Sequence, residues 1–224
     1  NRSAFGATLS DQPLMQNVLA DLIIENEAAL AYTMRVARAM DNQNNEHERL
    51  LARLATPVGK YWICKRTPNH AYEAMECIGG SGVMEDCIMP RLFRESPVNA
   101  IWEGSGNVQC LDTLRALQKE PETLDAFFKE AAEAKGTDSR FDQYLAQLQH
   151  DFADISDFQY RARNLVDRMA LTMQGSLLLR FGDKHVADAF CASRLQSSGG
   201  MNYGNLPSGT NPAAIIKRGT PVVG

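Results

Sequence analysis

An all-α fold follows from three observations. Apolar residues recur at helical spacing over most of the chain. Strand-like alternation is absent throughout. The helical stretches are separated by short polar or Gly/Pro-rich clusters. The 224 residues are enough for one large domain or two small ones. Hydrophobic residues at 44% and charged residues at 22% are ordinary for a soluble globular protein. A formal net charge of −4 gives no global pull toward nucleic acid. No apolar run reaches the length of a membrane span, so no membrane partner is expected.

The elements follow in chain order. Residues 1–12 form a loop holding Arg2, Phe5 and Gly6, with Ser10 or Asp11 as a helix cap and Pro13 in the first turn. A stripe through Val18, Leu22, Ala29, Val36 and Met40 predicts one long helix from Leu14, which the polar run 41–45 ends. Met15, Leu19, Ile23, Leu30 and Met34 flank the stripe and make it wider than one partner helix needs. A second helix runs from about Glu46 to Ile78, and Pro57 and Pro68 inside it predict a kink or a break. The two helices make an antiparallel hairpin. Gly79, Gly80 and Gly82 stop the second helix and let main chain be approached closely, although their spacing is not that of a dinucleotide fingerprint. Residues 90–95 read as a short amphipathic helix.

The segment Asn99-Ala100-Ile101-Trp102-Glu103-Gly104-Ser105-Gly106-Asn107 carries the candidate chemistry. Glu103 follows two large apolar residues, which are expected to desolvate it and make its carboxylate more basic, able to take a proton from carbon. The plainer alternative is an acid placed at the positive end of the helix that starts near Ser105. Val108, Leu111, Leu114 and Leu117 continue that helix. Beyond a polar linker with Pro121, Leu124, Phe127 and Phe128 mark one helix, Phe141 to Leu148 another, and Ile155 to Phe181 a long one. Val186 to Cys191 continues helical, and residues 197–224, rich in glycine and proline, read as a loop-rich or partly disordered tail. The five cysteines lack a C-x-x-C and are expected to be reduced core thiols of a cytoplasmic protein. The four histidines are scattered, so no metal site is expected.

Three stretches in order resemble the C-terminal helical domain of the acyl-CoA dehydrogenases. Arg2, Phe5, Gly6 and Gln12 match the R-x-x-F-G…Q opening. Glu76-Cys77-Ile78-Gly79-Gly80-Ser81-Gly82-Val83 matches Q-x-x-G-G-x-G-Y with two departures, and Trp102-Glu103-Gly104-Ser105 matches Y-E-G-T. The Glu103 segment and the helices after it are most similar to the AidB-like branch, the alkylation-response flavoproteins.

The resemblance implies a four-helix up-and-down bundle over residues 1–118, a C-terminal helical extension over 119–196 and the tail over 197–224. It implies FAD, a dimer of dimers, and an acyl-CoA or similar thioester substrate. Glu103 falls on the catalytic base, removing the α-proton while the β-hydride goes to flavin N5, and its N–H falls where the thioester carbonyl is held. Ser105 and Asn107 fall on cofactor contacts. Arg2 falls where an arginine meets the FAD pyrophosphate of a neighbouring subunit, with Phe5 and Gln12 in the same motif. Gly79, Gly80 and Gly82 fall where main chain lines the adenosine end, and Glu76 falls on the cofactor-binding glutamine of the same motif. Three departures stand out: Glu76 replaces an amide with a carboxylate that repels pyrophosphate, Val83 replaces a tyrosine, and Trp102 is bulkier than the usual tyrosine and narrows an acyl pocket. The chain reads as a C-terminal fragment that by itself is inactive and holds FAD poorly.

The alternative function is double-stranded DNA binding in the alkylation-damage response, through Arg115, Arg161, Arg163, Arg168, Arg180, Lys184 and Arg194. Residues 113–224 hold 13 basic and 13 acidic residues, so only spatial segregation would create a positive stripe.

Overall fold

The computed structural model describes residues 2–153, 157–196, 206 and 209–220. Helix α1 (Pro13–Asp41) and helix α2 (Glu46–Ile78) form the expected hairpin. Asn45 caps α2, its side chain accepting from the Glu48 N–H, and Glu46 and Glu48 in the first turn suit the positive end of the helix dipole. Neither Ser10 nor Asp11 caps α1. Both lie in a 3-10 turn, and Pro13 opens the helix after Gln12. Residues 2–8 are not a plain loop: β1 (Ser3–Ala4) pairs antiparallel with β2 (Ala7–Thr8). Phe5 and Gly6, both at positive φ, form the two-residue turn between them.

Helix α2 runs unbroken for 33 residues through both prolines, against the expected break. Each proline removes one backbone bond, at a cost of about 3 kcal/mol in an isolated helix. Here α2 is the spine of the molecule, packed by α1, α4, α5 and α7, and that burial holds it together. Each proline also follows a threonine. Thr56 Oγ1 donates to the Ala52 carbonyl at 2.7 Å and Thr67 Oγ1 to the Ile63 carbonyl at 2.8 Å.

Short helix α3 (Met89–Glu95) leads into the Glu103 segment, followed by α4 (Gly106–Lys119), α5 (Glu122–Ala132) and α6 (Ser139–Ala153). Helix α7 covers Ala162–Phe181, shorter than expected at its start. Residues 157–160 form a turn that begins with Asp157 at positive φ, while Ile155 lies outside the described residues. Phe158 therefore sits off the helix, its ring edge-on to Phe152. Helix α8 (Lys184–Phe190) runs into a π-helical segment, Cys191–Gln196.

The tail expectation is corrected where it can be seen. Residues 212–219 form a helix, α9 (Pro212–Gly219), capped by the Asn211 side chain. It docks on α1, fully buries Ile215, and pairs Arg218 with Glu27. The glycines and prolines around it hid an amphipathic octapeptide. Gly199, Gly200, Gly204, Pro207, Pro221 and Gly224 lie outside the described residues.

One core cluster joins Tyr32 of α1, Leu54 and Val58 of α2, Cys110 and Leu114 of α4, Phe127 of α5, and Met169 and Met173 of α7. A second joins Ile24 and Ala28 of α1 with Phe141, Phe190 and Ile215. The inward face of α1 only partly follows the predicted stripe: Leu22 is buried and Val36 packs on the core, but the buried row is shifted to one side of it. Asp21 and Glu25 are buried in that row, while Leu30, Met34 and Met40 are exposed. Ion pairs explain the acids: Arg194 reaches both, and Arg66 bonds Glu25. Glu130 of α5 is likewise buried, bonded by Arg35 at 2.8 and 2.9 Å and by Arg180 at 2.7 Å. Burial pushes its carboxyl up, but the two guanidiniums outweigh burial and hold it at about 2. All five cysteines are free, with Cys110 and Cys191 in the core and Cys64, Cys77 and Cys87 half-buried.

Candidate functional site

The candidate residues gather at two places on α2. The first is its C-terminal end. Arg2 donates from Nη1 to the Ile78 carbonyl at 3.2 Å, so the opening segment lies against the glycine turn. Gly79 has φ +78°, and a Cβ there would sit 2.0 Å from Arg2 Nη1. A Cβ at Gly82 would sit 2.6 Å from the Met75 carbonyl oxygen, whereas one at Gly80 would meet nothing within 4 Å. Gly79 and Gly82 thus serve close approach within the chain, and Gly80 is the open one. Gln12 uses its amide on the hairpin, donating to the Ala4 carbonyl at 2.8 Å. Phe5 stands at the hairpin tip, 97% exposed. Glu76 is exposed and accepts a bond from the Tyr72 hydroxyl.

The second place is the middle of α2, where the segment between α3 and α4 crosses it. Glu103 has φ +53° and Gly104 φ +101°, a sharp left-handed turn. For glutamate this backbone costs about 1–2 kcal/mol and persists only where neighbours over-determine it. They do. Lys60 Nζ of α2 donates to the Trp102 and Gly104 carbonyls, both at 2.6 Å. Gln109 Nε2 of α4 donates to the Glu103 carbonyl at 2.9 Å and the Gly104 carbonyl at 3.1 Å. Gly104 is required, since a Cβ would meet Gln109 Nε2 at 2.5 Å. The side chains of Lys60, Tyr61, Lys65 and Gln109 line a narrow gap beneath Gly104 and Gly106 that is too tight for a water.

The expected desolvation of Glu103 is not supplied by these residues. Its side chain is exposed, and Ile101 and Trp102 beside it are themselves 65% and 58% exposed. The apolar neighbours point outward because the polar carbonyls of the turn are held inward by Lys60 and Gln109. Helix α4 then begins with Ser105 at its cap. The Ser105 side chain makes no capping bond, and no acid lies in the first turn, so the leading N–H groups stay available to an acceptor.

Helix α7 backs this place. Arg163 Nε donates to Asn107 Oδ1 at 2.9 Å. Asp167 bonds the Tyr61 hydroxyl; burial pushes its carboxyl up to about 6, against the pull of Tyr61, Arg163 and Lys65. Burial and the Asp167 charge push the Tyr61 hydroxyl up as well.

Arg2, Phe5, Gln12, Glu76 and the glycines are therefore brought together, and so are Glu103, Ser105 and Asn107, but the two groups are not. Lys60 and Ile78 lie 18 residues apart on one helix, about 27 Å at 1.5 Å per residue. Sequence reasoning missed Lys60, Gln109, Tyr61 and Asp167. Gln109 carried a weak signal, a polar residue one turn into α4 on its buried face. Lys60 carried none, because the carbonyls it holds lie more than 40 residues ahead.

Comparison with known proteins follows the same lines. A family model described as "Acyl-CoA dehydrogenase, C-terminal domain" matches residues 1–118. The chain is 39% identical over 200 residues to the putative acyl-CoA dehydrogenase AidB of Escherichia coli, covering 89% of this chain and 37% of that protein. It is 30% identical over 200 residues to acyl-CoA dehydrogenase family member 11 of Caenorhabditis elegans, covering 88% of this chain and 32% of that one. The crystal structure of C. elegans ACDH-11 in complex with C11-CoA superposes with a TM-score of 0.79 at 28% identity, covering 87% of this chain and 38% of the other. The chain thus spans about a third of the length of these relatives.

Proposed function

The chain belongs to the acyl-CoA dehydrogenase family, and from that membership we propose that it forms the C-terminal helical part of an FAD-dependent oxidoreductase acting on an acyl-CoA thioester. Glu103 is the base that removes the α-proton. The observation that carries this reading is the left-handed turn at Glu103, clamped by Lys60 and Gln109 just ahead of α4. A clamped turn holds one carboxylate and one N–H in fixed relation, which a proton transfer beside a polarised carbonyl needs.

The residues present fit FAD in part. Arg2 offers an exposed guanidinium fork, and the first turn of α4 offers N–H donors with Ser105 and the Asn107 amide. Glu76 fits poorly beside a diphosphate, since its carboxylate repels it. When bound, FAD supplies the two-electron acceptor. The chain's own part is to hold the thioester carbonyl on the Glu103 N–H and to take the proton on the Glu103 carboxylate. Water exclusion around Glu103 must come from surfaces that cover Ile101 and Trp102. The exposed Leu30 and Met34 on α1 support self-association of the helical part, in keeping with a dimer of dimers.

The DNA-binding alternative draws less support. Arg168, Arg180 and Arg194 are paired with Asp151, Glu130 and Asp21, and Arg163 is bonded to Asn107. Four of the seven candidate cations are thereby engaged within the fold.

The test is Glu103→Gln in the full-length flavoprotein, mixed anaerobically with C11-CoA. The variant is expected to bind the thioester and leave the flavin oxidised. Bleaching at the wild-type rate would remove Glu103 from the mechanism.

A further inference from the structure

The peptide between Trp102 and Glu103 has two ends with different partners. Its N–H belongs to Glu103, the group assigned above to the thioester carbonyl. Its carbonyl belongs to Trp102 and accepts a bond from Lys60 Nζ at 2.6 Å. The same ammonium holds the Gly104 carbonyl, also at 2.6 Å, on the far side of Glu103. Gln109 holds the carbonyl in between. All three carbonyls of the turn are therefore fixed, and one of the two that the charge holds belongs to the peptide that presents the Glu103 N–H.

A cation bonded to a peptide oxygen draws electron density toward that oxygen and makes the N–H of the same peptide a stronger donor. The effect is large only where water does not screen it; the Lys60 bond to Gly104 is part-buried, while its bond to Trp102 faces solvent and is shielded once the surfaces that cover Ile101 and Trp102 are in place. We infer that Lys60 is a positioning residue for this reaction: it locks the strained Glu103 turn and polarises the Trp102–Glu103 peptide, so that the Glu103 N–H binds the thioester oxygen more strongly as enolate charge develops. This rests on the reading of Glu103 given above.

The geometry separates this role from simple support of the fold. Lys60 is half-buried at the edge of α2, and each Lys60 contact to the loop is to main chain. Lys60→Met keeps the stem length and apolar packing but removes the charge and all three donors. Lys60→Arg keeps both charge and donors, and Lys60→Gln keeps donors without charge.

The experiment uses the full-length flavoprotein and C11-CoA carrying a ¹³C-labelled thioester carbonyl. Isotope-edited infrared spectroscopy reads the polarisation of that carbonyl in the bound complex, independently of turnover. Anaerobic stopped-flow reads flavin bleaching. In Lys60→Met the labelled band is expected at higher wavenumber than in wild type. Bleaching is expected to slow about tenfold, less than the loss on deleting an oxyanion donor outright. The dissociation constant for C11-CoA should stay within a factor of about three, the sign of an interaction made in the transition state. Lys60→Arg should restore most of the band position and rate, with Lys60→Gln between.

An unmoved band in Lys60→Met overturns the inference, as does a loss of rate that tracks only lost flavin content. If the Met variant fails to retain FAD, the band in Lys60→Gln decides by the same criterion. Glu103→Gln run alongside separates the two claims. If it bleaches normally, the base reading fails. If it does not bleach while the Lys60→Met band and rate match wild type, the base reading stands and the Lys60 inference alone is lost.

Discussion

Glu130→Gln removes one negative charge from a site where two guanidiniums and an imidazole converge. Arg35 bonds both Glu130 oxygens, Arg180 bonds one, and His47 lies 3.4 Å away. These contacts tie α1, α5 and α7 together, with α2 joined through Glu48 and His47. The glutamine cannot offset two buried cations, and removing one partner of such a buried cluster costs about 3–5 kcal/mol. Arg35 keeps its pairing to Glu48, so the low end applies. For a chain of this size each kcal/mol moves the midpoint by about 2–4 °C, so a fall of roughly 6–12 °C is expected.

The pH dependence is specific. The folded carboxyl, at about 2, lies below its ordinary value of 4.5. Its contribution is therefore complete above pH 4.5 and is lost as pH falls toward 2, because the unfolded chain takes the proton first. Thermal melts followed by circular dichroism on both proteins between pH 7 and pH 2 read this directly. The gap between wild type and variant should be widest above pH 5 and should close toward pH 2. A variant melting within about 2 °C of wild type at neutral pH, or a gap that does not narrow in acid, refutes the argument.

Two further predictions test other parts of the structure. Gly79→Ala should lower the midpoint by about 2–8 °C and weaken FAD binding by the full-length protein, through the positive φ and displacement of Arg2, while Gly80→Ala changes neither. Equal effects of the two alanines would contradict the assignment of Gly79 as the Arg2 contact. Ile215→Ala deletes most of the anchor of α9 and should free that helix, seen as faster tryptic cleavage at Lys217 and Arg218 with little change in global melting. Unchanged cleavage would mean that α9 is held by something other than Ile215.

Much of the molecule was legible in order of sequence because helices are local. Pro13, Asn45 and the run 41–45 set the boundaries of α1 and α2 through bonds spanning four residues or fewer. The glycine turn and the start of α4 were readable for the same reason. What failed, failed at long range. No local rule shows that Asp21 and Glu25 face inward on α1, because their partner Arg194 lies about 170 residues away. Apolar periodicity therefore found only part of the buried face of that helix, Leu22 and Val36 among it. Nor does a local rule let α2 run through two prolines, since four helices packed around it supply the compensation.

At the candidate site the division is the same. By itself the sequence determined which carboxylate stands in a glycine-flanked turn ahead of a helix, since residue identity and backbone freedom are local properties. Only the tertiary structure decided that the turn is clamped by Lys60, that Asn107 is held from α7, and that Arg2 rests on Gly79. A hydrogen bond is set by where two groups meet in space, and these pairs are brought together by the packing of α2 against its neighbours.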